Sequence, residues 1–375
     1  NDPNLKVNTE VIMYNGGLNL RYNLFNNWKN KRAIEASKIQ ESISTLSYEN
    51  MQKSLENSLA TLIDTYKGNA ELVALAELNL DYAKQAWKLA EKRFNLGTIS
   101  SIELVTFKNT FENQSWGVGS ETIDIFNTEF AKMQDAKFAL SIHSWTYSIW
   151  ICLKAAGIEA GDEVILPSYT FIATATAVVL ANAVPVFADI DLETGNIDPA
   201  SVKSLITNKT KAIIPVHTGG APADLVNLQK ISKKHNIPII EDAAQAHGSM
   251  LNGKKVGAIG LGGIFSFQTS KNMSSGEGGA IVSNDESFID ACFSYHNCGR
   301  VRNGQWYEHH RLGSNLRMSA LNAAILLPQI KSTSSDFLLR ERSRKILDEG
   351  IGNIDGLVPL KLIKDTKSSN HIYII

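Results

Sequence analysis

Proline is almost missing from the first part of the chain: after Pro3 there is none until Pro167, and the other seven follow it. No Gly/Ser-rich or Pro-rich linker accompanies the change, so the proline distribution itself divides the sequence into two kinds of protein. Cysteine is scarce as well. Cys152, Cys292 and Cys298 form an odd set without metal-ligand spacing, which leaves buried or loop thiols in a reducing compartment as the reading. Excess charge of one sign is lacking, since 37 Lys and Arg against 38 Asp and Glu give a formal net charge of -1 and therefore no basic field for nucleic acid. No uninterrupted apolar run approaches the length of a membrane-spanning helix. The opening Asn1-Asp2-Pro3 has neither an initiator methionine nor a signal-peptide pattern, so the natural start is expected upstream of it.

What is present is ordinary globular material, 375 residues with 43% hydrophobic and 20% charged side chains, enough for two or three domains. The most informative stretch is 239–283. A short branched run, Ile237 to Ile240, ends in Glu241-Asp242, as a buried strand does when it delivers an acid to the carboxyl edge of a sheet. A second run, Gly263 to Phe267, leads through Gln268-Thr269-Ser270 to Lys271, and Gly276-Glu277-Gly278-Gly279 precedes a further strand. Lys271 is thus placed on a loop between strands. Pyridoxal phosphate chemistry needs this combination: a lysine amine that condenses with the cofactor aldehyde, and a carboxylate that keeps the pyridine nitrogen protonated. The plainer alternatives are a solvated loop lysine for Lys271 and a helix N-cap for Asp242.

The stretch resembles the DegT/StrS-type sugar aminotransferases, pyridoxal-phosphate enzymes of fold type I. The likeness runs from about Trp116 to Ile375. It rests on Gly161-Asp162-Glu163-Val164-Ile165-Leu166-Pro167-Ser168-Tyr169-Thr170-Phe171, Pro185 to Asp191, Pro215-Val216-His217, Glu241-Asp242-Ala243-Ala244-Gln245-Ala246-His247-Gly248, Phe265-Ser266-Phe267 to Lys271, and Gly313-Ser314-Asn315-Leu316-Arg317-Met318. It implies an α/β large domain with a mostly parallel sheet, helices on both faces and the cofactor at the carboxyl edge. It further implies that Lys271 holds pyridoxal 5'-phosphate and moves the proton, that Asp242 pairs with the pyridine nitrogen, that Gln245 reaches the phenolic oxygen, and that Phe171 stacks on the ring. Thr146, Ser266 and, from a neighbouring subunit, Asn315 match the phosphate ligands. The implied reaction takes an amino group from glutamate or glutamine to a ketosugar, nucleotide-linked, or to a keto-cyclitol, in a cytoplasmic homodimer. Related dehydratases carry histidine at the lysine position, so Lys271 favours transamination. One residue departs from the pattern: Trp145 stands where the family has glycine, and an indole there is expected to crowd the phosphate or to oppose a positive φ. His217 and His247 lie inside matching motifs, where a histidine is as often a structural donor as a catalyst, and both stay out of the catalytic set, while Cys298 and Arg300 suit either a pocket lining or a loop cap.

The first part reads differently. Leu18 to Leu24 alternates apolar and polar residues as a strand does, and from Trp28 to Asn95 residues such as Ile39, Ile43, Leu46, Leu55, Leu59, Leu62 and Tyr66 recur at helical spacing, with Gly68 the only interior breaker. Residues 4–113 resemble a fragment of a TolC-type outer-membrane efflux channel, on the strand ending Asn23-Leu24-Phe25-Asn26-Asn27, the long helix, and the turn Arg93 to Leu104. The resemblance implies a strand and a long helical hairpin, trimeric in its family; one strand cannot close a barrel, and an open edge is not tolerated in a bilayer. The domains are therefore expected at 1–114, 115–330 for the cofactor-binding large domain, and 331–375 for the start of a small C-terminal domain. A channel fragment, or an inactive hybrid of the two parts, is the rival functional reading.

Overall fold

The computed structural model describes residues 29–95, 120–352 and 354–375. The strand read at 18–24, the turn after Asn95 and the junction near 113–116 lie outside the described residues. The chain divides into two compact units, Asn1–Lys84 and Gln85–Ile375.

In the first unit the described structure is helical. Helix α1 (Lys29–Asn95) is a single run of 67 residues that passes through Gly68 without interruption and whose last residues, from Gln85, belong to the second unit; the second arm of the expected hairpin lies outside the described residues. Its composition explains its length: proline is absent, and Lys, Glu, Ala, Leu and Gln are good helix formers. The hydroxyls of Ser42, Ser44, Thr45 and Ser58 each donate to the carbonyl four residues back, so these polar residues sit in the helix without an unpaired group. The apolar residues do not form one stripe. Leu55 follows Ile39 by sixteen positions, which at about 100° per residue turns it roughly 160° around the axis, so the group at 39–46 and the group at 55–66 occupy opposite sides. All seven of the apolar residues named for this helix are between 49% and 76% exposed.

The second unit is a layered α/β structure. In chain order its elements are α2 (Glu121–Met133), β1 (Phe138–Ile142), α3 (Trp145–Ala155), β2 (Glu163–Pro167), α4 (Ile172–Leu180), β3 (Val184–Ala188), α5 (Pro199–Leu205), β4 (Thr210–Ile213), α6 (Leu225–His235), β5 (Ile240–Asp242), β6 (Met250–Leu251), β7 (Lys254–Lys255), β8 (Gly262–Ser266), β9 (Gly279–Ser283), α7 (Glu286–His296), α8 (Ala320–Ile351) and β10 (Thr366–Lys367). β2 runs parallel to β3 and β4, and β5 parallel to β8. Parallel bridges Ile213↔Ile239 and Val216↔Asp242 join these two portions. The strand order is therefore β3-β2-β4-β5-β8-β9-β1, parallel except where β9 meets β8 and β1.

Period-two alternation divides the core between the two faces of this sheet. Ile165, Ile213, Ile239 and Phe265 join a buried cluster with Phe126 and Phe130 of α2, Val202 of α5 and Leu228 of α6. Their neighbours Val164, Leu166, Ala212, Ile240 and Ile264 join a second cluster with Ile149 and Leu153 of α3, Ala177 of α4 and Phe288 of α7. The same alternation separates the acidic pair that follows Ile240. Glu241 turns to the first face and Asp242 to the second.

The C-terminal part is tied to the large sheet domain rather than independent of it. α8 runs straight through the expected boundary at 330/331 with Pro328 inside it, and β10 pairs antiparallel with β6.

Candidate active site

Glu241 and Asp242 are consecutive, both buried, and differently employed. Glu241 accepts hydrogen bonds from the backbone N–H groups of Gly257, Ile259 and Gly260 at 2.6, 2.7 and 2.7 Å, and lies 3.1 Å from His217 Nε2. Because His217 Nδ1 accepts from the Ala223 N–H at 3.0 Å, the ring proton sits on Nε2 and points at Glu241. A buried carboxylate with this many donors is a structural pin for the 257–260 loop, and His217 belongs to it.

Asp242, at the carboxyl end of β5, faces a cavity of about 510 Å³. The Thr174 hydroxyl donates to its Oδ2 at 3.1 Å, and the Ala244 N–H to its Oδ1 at 3.2 Å. Burial pushes its carboxyl above the usual range, opposed by the Ala244 and Thr174 hydrogen bonds and by the positive Lys271 nearby. Lys271 is half-buried on the loop after β8, where burial lowers its ammonium pKa and Asp242 partly restores it. The two groups sense one another across the same cavity.

Thr146, Phe171, Asp242, Gln245, Ser266 and Lys271 all line the cavity, six of the seven residues expected from the sequence. Asn315, the seventh, lies outside the cavity of this chain; it is exposed and bridges to Asn297 on the strand-like segment after α7. Ser144, Trp145, Thr170, Gln268, Ser270 and Glu277 complete the polar lining. Helices α3 and α4 both begin here, and neither is capped by a side chain, whereas Asp198, Asp224, Asp285 and Ser319 cap α5, α6, α7 and α8. An uncapped helix start leaves backbone N–H groups and the positive end of the dipole available to an anion. Close approach of β9 to that start depends on Gly279, where a Cβ would lie 2.9 Å from both the N and Cα of Trp145.

Trp145 departs from what its sequence position led one to expect. It is the first residue of α3, following an extended Ser144, and is not among the residues with positive φ. No glycine-only conformation is required there, so the objection based on backbone angle fails. Its indole lines the cavity with its centroid 6.1 Å from that of Phe171, tilted by 46°.

Gln245 is held by two partners. Its Oε1 accepts from the Gly219 N–H at 2.7 Å, and its backbone carbonyl from the Ser369 hydroxyl at 2.6 Å. Gly219 can only donate at that contact, which fixes the amide orientation and leaves Nε2 for the cavity. Thr174, Gly219 and Ser369 were not legible as site residues. Thr174 alone had a signal, its spacing of four from Thr170, which lies just before α4; the two hydroxyls lie 2.8 Å apart. His247 is buried against Phe130, Phe265 and Phe267, with ring centroids at 6.4, 5.3 and 5.7 Å, and burial pushes its pKa down to about 3. Cys298 and Arg300 lie away from the cavity lining; the Arg300 guanidinium rests 4.1 Å over the Trp306 ring.

Comparison with known proteins agrees with the α/β fold. Residues 98–375 match the profile of the DegT/DnrJ/EryC1/StrS aminotransferase family, and residues 6–115 that of the outer membrane efflux proteins. A 3-amino-5-hydroxybenzoate synthase from Amycolatopsis mediterranei is 38% identical over 250 residues, covering 66% of this chain and 64% of that protein. A GDP-perosamine synthase from Escherichia coli O157:H7 is 37% identical over 251 residues, 67% of each chain. The solved aminotransferase from Psychrobacter cryohalolentis superposes with a TM-score of 0.68 at 31% identity, covering 73% of this chain and 74% of that one. The chain thus spans a little under two thirds of the length of the first of these relatives. Among the described residues no helix is long and apolar enough to cross a membrane.

Proposed function

The chain belongs to the DegT/DnrJ/EryC1/StrS aminotransferase family, and from that premise we propose that it is a pyridoxal-phosphate-dependent transaminase whose working site is the cavity between Lys271 and Asp242. The observation that carries this reading is the meeting, in one cavity, of a half-buried amine of lowered pKa, a buried carboxylate and an uncapped helix start. The residues fit the cofactor. Asp242 suits the ring nitrogen, since a pyridinium would supply a positive partner in contact with its buried carboxylate, where Lys271 acts only from across the cavity. Phe171 offers a ring face, Gln245 an amide N–H for the phenolic oxygen, and the start of α3 with Thr146 and Ser266 a phosphate site. The cavity volume is of the size that small ligands and cofactors occupy.

Bound pyridoxal phosphate supplies an aldehyde that exchanges amines and a ring that accepts electrons. Lys271 Nζ would hold the aldehyde, and once freed by an amino donor it would serve as the base that takes the donor Cα proton and as the acid that returns it, with the reverse transfers on the acceptor; burial lowers its pKa, which favours the base role. Glutamate or glutamine is the donor, and the acceptor is a ketosugar carried on a nucleotide or a keto-cyclitol, by analogy with the relatives. The enzyme works as a cytoplasmic homodimer in which Asn315 of each subunit serves the phosphate of the other.

The half-reaction tests this. Cofactor-loaded protein mixed with glutamate or glutamine should lose its visible band and release 2-oxo acid in step with it, and Lys271→Ala should slow that by about 10²–10⁴-fold. A Lys271→Ala protein that transaminated at the parent rate would remove Lys271 from the mechanism.

A further inference from the structure

The segment after β10 hydrogen-bonds three loops, at Gly219–Gly220, at Gln245 to Ser249 and at Asn272. The Ser369 N–H donates to Ser249 Oγ at 2.9 Å, whose hydroxyl donates to the Gly220 carbonyl at 2.7 Å. The Ser369 carbonyl accepts from Asn272 Nδ2 at 3.2 Å, beside Lys271, and Asn272 Oδ1 lies 3.1 Å from His371 Nδ1. The N–H of His371 donates to the Gly219 carbonyl at 2.9 Å. The hydroxyl of Ser369, only 1% exposed, donates to the backbone carbonyl of Gln245, while the Gly219 N–H holds the amide of that same residue. The fit is close. Gly219 and Gly220 have φ of 64° and 94°, and a Cβ on Gly220 would lie 2.2 Å from Ser369 Oγ and 2.7 Å from the Gln245 carbonyl. His371 is kept neutral, its pKa lowered to about 4 by burial and by the charges of Lys271 and Arg340, so it serves the network through its Nδ1–H.

From this geometry we infer that Ser368–Ile372 is a strap that sets the cavity's donor groups, with Ser369 as a positioning residue acting through Gln245. The strap grips Gln245 by its main chain and, through Gly219, by its side-chain oxygen. Rotation of the amide would cost both the Gly219 bond and the orientation of Nε2 toward the cavity. The same strap anchors Asn272, the neighbour of Lys271, so one segment governs the distance between the amine and the amide. Neither Ser369 nor Gly219 touches the reacting atoms.

This inference rests on the proposed cofactor reading, and the test separates the two. Full-length protein loaded with pyridoxal phosphate would be titrated with pH while its visible band is followed, for the parent, Ser369→Ala, Gln245→Ala and the double variant. A donor to the phenolic oxygen favours its charged form, so losing that donor moves the spectral midpoint upward. Ser369→Ala should raise the midpoint by about half a pH unit or more, and should add nothing in the Gln245→Ala background. In cofactor-free protein, hydrogen exchange at the Gly219 amide should quicken in Ser369→Ala. A midpoint unchanged in Ser369→Ala, or additive shifts in the double variant, would overturn the positioning role while leaving the cofactor reading intact. No visible band in the parent would overturn both.

Discussion

Adjacent residues here divide structural from chemical duty. Glu241, saturated by three backbone N–H groups and His217, has no capacity left for a ligand, while Asp242 retains an acceptor face on the cavity. Burial shifts other side chains too, and their signs give a test of stability. The folded pKa of His247 is about 3, against 6.5 for the exposed ring, because the phenylalanine-lined interior penalises the imidazolium. The unfolded chain therefore takes up a proton at this position between those two values and the folded one does not. Stability is present above about pH 6.5 and is lost as pH falls toward 3, at up to about 1.4 kcal/mol per pH unit for each such histidine. His296 and His371, both lowered to about 4, act in the same direction. Urea midpoints measured from pH 7 down to pH 4.5 should fall, and His247→Phe should flatten the fall. A parent chain whose midpoint held steady over that range would show that these rings are not held neutral.

At the scale of elements, the site is made by a sheet edge and two helix starts. Gly279→Ala would drive a Cβ into the first turn of α3, where Trp145 N and Cα sit 2.9 Å away and cannot yield as a side chain could. Cofactor affinity is expected to drop at least about tenfold, with a stability loss of roughly 1–3 kcal/mol, measurable by fluorescence titration and thermal melting. An unchanged affinity would mean that the start of α3 does not bind the phosphate. The strands beside Asp242 and Lys271 were legible because each is a short apolar run ended by a charged or glycine-rich segment. β1 was not: Phe138-Ala139-Leu140-Ser141-Ile142 follows a helix closely, and only its antiparallel pairing with β9 identifies it. That pairing is a long-range contact with no local signature. Ser369 was illegible for the same reason, since a serine among serines acquires its role from Gln245, 124 positions away. Trp145 misled because its family setting, rather than its own conformation, set the expectation.

At the scale of the molecule, the cavity of Lys271 and Asp242 lies in the α/β unit, while α1 exposes apolar residues on opposite sides. If Asn315 serves the partner's phosphate, subunits are functionally interdependent. Mixing Lys271→Ala and Asn315→Ala chains, unfolding them together and refolding should then recover about a quarter of the parent's active sites, since each heterodimer has one site with both residues intact. No recovery would confine Asn315 to its own chain. The catalytic reading rests on Lys271 being the residue that holds the cofactor, and one measurement addresses that directly. The full chain would be loaded with pyridoxal phosphate, its visible spectrum recorded before and after borohydride, and the reduced adduct located by peptide mass spectrometry, with Lys271→Ala in parallel. The account predicts a visible band that reduction abolishes, a pyridoxyl group on Lys271, and neither in the variant. A cofactor trapped on another lysine, or an identical band in Lys271→Ala, would contradict it.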